Sequence, residues 1–511
     1  MKLSNEKEVN PMFKTIKEVL QNTKEKYENK IIFSGINREI TYKDFYDNCS
    51  AGATFLIESN LTKKNVIIFI DKTIHCLEAM FSCAFAGVCY TIIDVNSPKD
   101  RVDRILDTLK PSAIITDTKN YEKGKIYGEN ILKIEELVSS KGNEAKVNEI
   151  NSTLVDTDPL YILFTSGSTG MPKGSVICHR SVIDYATVIC KTFNITEKTI
   201  FGSQTPFYFS MSILDIFATI VSGATFNIIP KMYFSFPVKL IEHLNTYKIN
   251  TIYWVPSALS IVANFKTLDT ILPEYLHTIL FAGEVMPTKQ LNMWRAKLPN
   301  ALYANLYGPT EITDTCTYYI VNRDFKDEES LPIGVPFENC DILIIKEDGE
   351  SAKKGEVGEL CVRGSFLGLG YYNQPEKTAS AFVQNPLNPY YPELIYKTGD
   401  LVYLNEQNEI IYLGRKDFQI KHMGYRIELG EIESNIFAIE GILSCACIYD
   451  LEKSSIVLFY QSNTLKEEDV LKEAKAKLVP YMVPNEIVRL AMMPINSNGK
   501  IDRVKLKEME R

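Results

Sequence analysis

Short apolar runs alternate with amphipathic stretches through most of the chain. Residues 65–70 (NVIIFI) have the length of a buried strand, and residues 75–87 (HCLEAMFSCAFAG) follow with a helical period. The run 89–95 (CYTIIDV), the helical stretch 98–110 (PKDRVDRILDTLK) and the run 112–117 (SAIITD) continue the rhythm. Continuous apolar runs separated by helices predict parallel strands covered by helices on both faces. The pattern returns at 225–230 (TFNIIP), 249–256 (INTIYWVP) and 277–283 (HTILFAG).

After about residue 330 the texture changes to short β segments with turns, at 340–350, 358–364 and 409–415. Beyond these, a helix is expected at 429–437, strands at 441–450 and 455–461, and a helix at 466–478. That is enough for a small α+β unit with its own core. The expected fold is therefore α/β: a large N-terminal domain (1–415) of stacked, mostly parallel αβ layers with a β-rich subdomain, and a C-terminal lid (416–511). Residues 412–421 (YLGRKDFQIK) are the candidate junction.

Length agrees, since 511 residues exceed one ordinary core. Hydrophobic and charged contents of 45% and 23% are those of a globular chain, and a formal charge of −8 argues against a nucleic-acid partner. The eleven cysteines are scattered, and Cys445-x-Cys447 has no partners at zinc-ligand spacing, so buried reduced thiols are expected. Residues 1–13 lack an apolar signal core, and no run approaches the length of a membrane span. A cytoplasmic enzyme without membrane contact is the expectation.

Candidate chemistry begins at 164–175 (FTSGSTGMPKGS), after the apolar strand 160–164. Glycine-rich backbone, several hydroxyls and Lys173 are the parts of a phosphate cradle. The loop is not that of a P-loop NTPase, because Lys173 precedes Gly174 and no Ser or Thr follows the lysine directly.

Four further stretches accompany it: 305–313 (NLYGPTEIT), 396–401 (YKTGDL), 414–433 (GRKDFQIKHMGYRIELGEIE) and 496–503 (NSNGKIDR). With these motifs in this order, nearly the whole chain resembles the adenylate-forming superfamily. The wording is most similar to amino-acid adenylation domains of nonribosomal peptide synthetases and to D-alanine–carrier-protein ligases, the latter at 279–287 and 369–382. The resemblance implies attack of a carboxylate on the α-phosphate of ATP, giving an acyl-adenylate and pyrophosphate. A thiol, usually the phosphopantetheine of a carrier protein, then attacks the adenylate.

The resemblance assigns roles residue by residue. Thr165, Ser166, Gly167, Ser168, Thr169 and Lys173 would hold phosphates. Tyr307 offers the adenine a stacking face and Asn305 an edge partner, while Asp400 matches the ribose acceptor beside Tyr412 and Arg415. Glu311 matches the Mg²⁺ ligand and Thr310 the phosphate-contacting hydroxyl. Lys500 matches the catalytic lysine, placed where negative charge develops. Asp417 matches the hinge about which the mobile lid turns, and Lys421 with the Gly424 loop would face the incoming pantetheine.

The acid pocket departs from the common pattern. Domains for α-amino acids carry F-D-x-S, the aspartate pairing with the ammonium; here the stretch reads Phe209-Ser210-Met211-Ser212. An unpaired buried ammonium costs several kcal/mol, so the substrate lacks an α-amino group or another acid holds it. Asp314 is the candidate acid. Other transferred lining positions are Met211, Leu214, Trp254, Leu280, Ala282, Leu306, Gly308 and Thr315. A β- or ω-amino acid or a hydroxylated aryl acid suits such a pocket, and D-alanine remains open.

Three functions compete: a stand-alone ligase loading a separate carrier protein, an acyl-CoA synthetase, and a non-enzymatic binding protein. Eleven residues follow Lys500, so a free-standing ligase without its own carrier domain is expected. The presence of Thr165, Lys173, Glu311, Asp400, Asp417 and Lys500 together speaks for an enzyme.

Overall fold

The computed structural model describes residues 13–167, 171–416, 419–450, 453–495 and 501–509. Two mostly parallel sheets carry the large domain. One has nine strands; its centre runs Leu302–Tyr307, Thr278–Phe281, Thr251–Trp254, Ile200–Ser203 and Thr225–Ile228, all parallel. The other has seven, with Pro159–Thr165, Cys89–Ile92, Asn65–Phe69, Ala113–Thr116 and Ile131–Lys133 parallel at its centre. Strands such as Thr251–Trp254 and Thr278–Phe281 are buried at every position, which is why they read as unbroken apolar runs.

The helix Ile74–Phe85 is buried along its whole length, and one core joins both large sheets. The helix Ser212–Ser222 closes at Gly223 in a left-handed conformation, φ 78°, whose N–H donates to Thr219 O. A Cβ at that glycine would lie 2.3 Å from the Tyr27 ring, so both conformation and space require Gly.

An antiparallel five-stranded sheet, including Gly358–Gly364 and Leu394–Leu404, forms the β-rich part. Beyond it come a two-stranded hairpin, Gln419–His422 with Tyr425–Glu428, and a three-stranded sheet flanked by the helices Leu429–Phe437 and Glu467–Lys477. These elements bury a core of their own from Ile427 to Met482. The architecture is thus the expected mixed α/β fold. All eleven cysteines are free thiols, ten of them buried. Among the described residues no helix is long and apolar enough to cross a membrane.

Candidate functional site

A crevice opens beyond the C-terminal ends of the parallel strands, where an open α/β sheet exposes backbone and loops. It is closed from above by the hairpin of residues 419–428 and encloses a cavity of about 100 Å³.

The glycine-rich loop joins two antiparallel strands, Pro159–Thr165 and Lys173–Cys178, which sets Thr165 opposite Lys173. Ser166 Oγ donates to Arg426 O at 2.8 Å and accepts from Glu428 N at 3.1 Å, so the hairpin is seated on the loop. Lys173 Nζ lies 3.5 Å from Glu428 Oε1 and 5.7 Å from the Tyr371 ring centre. Burial and the neighbouring Arg426 push the Lys173 ammonium down from its ordinary range. Ser168 and Thr169 lie outside the described residues, as do Asp417 and Lys500.

Glu311 is wholly buried beside this loop. Its Oε1 accepts from Tyr371 OH at 2.7 Å and its Oε2 from Arg426 Nη1 at 2.6 Å. Burial alone would raise its pKa; the charges of Arg426 and Lys173 outweigh that and hold it at about 2. Arg426, within the quoted 414–433 stretch, had no role from the sequence.

The nucleoside residues meet on the neighbouring edge. Asp400 Oδ1 accepts from Arg415 at 3.1 Å, and Oδ2 accepts from the Tyr307 hydroxyl. Tyr412 packs against Tyr307 at 6.2 Å, and Lys421 Nζ sits 4.7 Å from the Tyr307 ring centre. The hairpin thus covers the face that the sequence offers to adenine. Asn305 Nδ2 donates to Pro332 O at 2.8 Å; among the described residues its Oδ1 has no partner and can accept from an amine.

The pocket residues fall on two sides of the sheet. The register Tyr253↔Leu280↔Ala304 puts Tyr253, Leu280 and, two residues on, Leu306 on one face. Trp254, paired with Phe281, points to the other. Its indole donates to Gly202 O at 2.8 Å and packs on Phe234. Trp254, expected to line the acid pocket, is thus turned to the face opposite Tyr253 and Leu280. Ala282, Met211, Ser210 and Gly308 border the cavity, while Leu214 is buried in the helix behind it. A Cβ on Gly308 would lie 2.4 Å from Asp314 O and Thr315 Cα, so glycine lets the two loop segments touch. Ser210 Oγ lies 3.2 Å from Thr310 Oγ1.

Asp314 and Thr315 also border the cavity. Tyr185 OH donates to Asp314 Oδ2 at 2.8 Å and lies 2.8 Å from Thr315 Oγ1; Tyr253 OH donates to Asp314 Oδ2 at 3.2 Å. Burial pushes the Asp314 carboxyl well above the ordinary carboxylate range. Nothing local signals Tyr185, which lies 129 residues away in sequence.

The C-terminal elements also meet the large domain along the border of this crevice. Phe209 packs edge-on against Tyr425, which stacks on Tyr481 at 3.6 Å. Arg101 pairs with Glu431 at 2.8 Å. Gly424, at φ 79°, donates its N–H to Glu284 Oε1 at 2.9 Å, and a Cβ there would strike Val255.

The family of AMP-binding enzymes matches residues 20–372. Zwittermicin A synthase ZmaJ of Bacillus cereus is 33% identical over 476 residues, 91% of this chain and 89% of that protein. The D-alanine–D-alanyl carrier protein ligase of Bacillus cytotoxicus is 31% identical over 92% of this chain and 94% of its own. Gramicidin S synthase 1 of Brevibacillus brevis is 29% identical over 99% of this chain, which spans 45% of that longer protein. Among solved structures, the Vibrio cholerae adenylation domain AlmE, in complex with glycyl-adenosine-5'-phosphate, superposes with a TM-score of 0.84 at 22% identity, covering 98% of this chain and 99% of that one. A fused adenylation–PCP di-domain, NpsA-ThdA of Klebsiella oxytoca, gives 0.81 at 20% identity, with coverages of 98% and 97%.

Proposed function

The chain belongs to the family of AMP-binding enzymes, and from that premise we propose that it is an adenylate-forming ligase loading a small carboxylic acid onto a carrier-protein thiol. One observation carries the reading: Thr165 and Ser166 of the glycine-rich loop, Asp400 with Arg415, and Ser210, Met211 and Asp314 of the acid pocket all border one crevice. The named carrier ligase and adenylation domains among its relatives support the partner.

The division of labour we propose follows the family resemblance. Asp400 takes the ribose hydroxyls and Tyr307 the adenine, with Asn305 accepting from its amine. The loop 165–173 receives the β- and γ-phosphates, and Thr310 presents its hydroxyl between these phosphates and the acid. The acid's carboxylate oxygen bonds to the α-phosphorus as pyrophosphate leaves; the thiol sulfur then bonds to the acyl carbon as AMP leaves. Lys500 supplies the cation at the α-phosphate when the lid is turned toward the core, about the hinge at Asp417 between domains 1–415 and 416–511. Lys421 and the Gly424 loop guide the thiol.

Glu311 suits Mg²⁺, a hard cation that takes one or two carboxylates and completes its shell with phosphate oxygens and water. Among the described residues no cluster of three or more His, Cys, Asp or Glu side chains forms an all-protein cage, so the donor set fits an ion that arrives with the nucleotide. When bound, the ion neutralises phosphate charge. A cytoplasmic location accords with free buried thiols.

The test is acid-dependent exchange of pyrophosphate into ATP, followed by thioester formation on a phosphopantetheinylated carrier and on CoA. Exchange and carrier loading are expected. Exchange with transfer only to CoA would instead make the chain an acyl-CoA synthetase, and no exchange with any carboxylate would defeat the reading.

A further inference from the structure

The acid pocket contains a carboxylate that activation of the substrate does not use. Asp314 is 2% exposed and borders the cavity. Both phenols that hold it, Tyr185 and Tyr253, donate to the same oxygen, Oδ2. Among the described residues Oδ1 has no hydrogen-bond partner, and no Lys, Arg or His side chain pairs with the carboxylate. The buried cation on that side of the core, Lys72, faces Asp215 and donates to Ser203 O at 2.9 Å.

The end of the pocket nearest the chemistry is different. Ser210 stands there in place of an acid, with its hydroxyl beside Thr310. An α-ammonium would sit next to this serine without a counter-charge. Between the two ends the wall is apolar, from Met211 and Ala282.

We propose that Asp314 receives a cationic group at the far end of the substrate, which is an ω-amino acid whose ammonium lies beyond the α-carbon. This rests on the adenylation reading above. Tyr185 and Tyr253 are positioning residues that fix the carboxylate so that Oδ1 faces the cavity. An ammonium brings three donors and a full charge, satisfying Oδ1 and compensating the buried carboxylate at once. A phenolic substrate would add a third hydroxyl donor but bring no positive charge to hold the carboxylate ionised against its burial. Methylene groups between the two ends would pack on Met211 and Ala282.

The experiment is pyrophosphate exchange by the full chain with β-alanine, γ-aminobutyrate and δ-aminovalerate, each beside its methyl isostere (butyrate, valerate, hexanoate). Glycine, D-alanine and the hydroxybenzoates complete the panel. At least one ω-amino acid should exceed its isostere by about 100-fold or more in kcat/KM, because the isostere leaves a buried polar group unpaired. Asp314→Asn should erase that ratio. Tyr185→Phe and Tyr253→Phe should raise KM for the ω-amino acid while kcat and KM for ATP hold, a split that a purely structural role would not produce. An α-amino acid or a hydroxybenzoate as best substrate overturns the inference while the adenylation reading stands. So does an Asp314→Asn variant that keeps the ratio. If that variant does not fold, the wild-type panel and the two Tyr→Phe variants decide. Exchange with no acid at all defeats the adenylation reading itself and the inference with it.

Discussion

Arg426 of the lid hairpin donates to Glu311 of the core at 2.6 Å, and both side chains are largely withdrawn from water. The same Glu311 oxygen would serve a divalent cation arriving with ATP. On the proposed reading, Arg426 and a cation carried by the nucleotide would compete for Glu311.

Arg426→Ala should tighten the apparent affinity for Mg·ATP. A charge-assisted hydrogen bond of about 1.5–3 kcal/mol is removed from the docked hairpin, which should lower KM for ATP about 10-fold. If the docked hairpin guides the thiol as proposed, thioester formation should slow. Glu311→Gln should instead cut pyrophosphate exchange by about 100-fold or more at any Mg²⁺ concentration. Steady-state exchange and carrier loading, measured on both variants, check the pair; an Arg426→Ala enzyme with unaltered KM for ATP would break the coupling.

Tyr253 and Trp254 are neighbours in sequence and sit on opposite faces of one strand. Tyr253→Phe should change acid preference. Trp254→Phe should leave preference alone and lower stability by about 1–3 kcal/mol, through a lost hydrogen bond to Gly202 and a small cavity. Chemical denaturation beside an acid panel distinguishes them, and the reverse outcome would mean that the strand faces have been interchanged.

Lys500→Ala should abolish pyrophosphate exchange while ATP still binds, as read by equilibrium dialysis with a labelled nucleotide. On the proposed reading, the remaining phosphate and nucleoside contacts would come from Lys173, Tyr307 and Asp400. Unimpaired exchange would remove the assignment.

Acid should destabilise the fold through its buried histidines. Burial pushes His179 down from 6.5 to about 4, and its Nδ1 accepts from Ile16 N at 3.2 Å. The unfolded chain therefore binds the extra proton first. The contribution of neutral His179 is complete above about pH 6.5 and is lost as the pH falls from there toward about 4, by about 3 kcal/mol at about 1.4 kcal/mol per pKa unit. His243 is shifted the same way. Melting temperatures across this window should fall steeply in the native chain and less steeply in His179→Gln; equal slopes would assign the loss elsewhere.

Sequence and structure divide along a clear line. The buried strands, the helix Leu429–Phe437 and the lid's separate core follow periodicities that any local window contains. The glycine-rich loop and the Tyr307–Glu311 turn are likewise contiguous, so their wording carries the family resemblance that implies the reaction. Even the face of Tyr253 was legible in principle, since Leu280 and Leu306 had been placed in the pocket and alternation carries Tyr253 with them.

What the sequence by itself determined was the class of chemistry, because phosphate cradles and nucleoside shelves are built from short loops with local geometry. The tertiary structure alone decided which groups share a charge. Asp314 is 129 residues from Tyr185, and Glu311 is 115 residues from Arg426. Distance along a chain carries no information about distance in a packed core, yet it is packed distance, and the water excluded with it, that sets the strength of every such pairing.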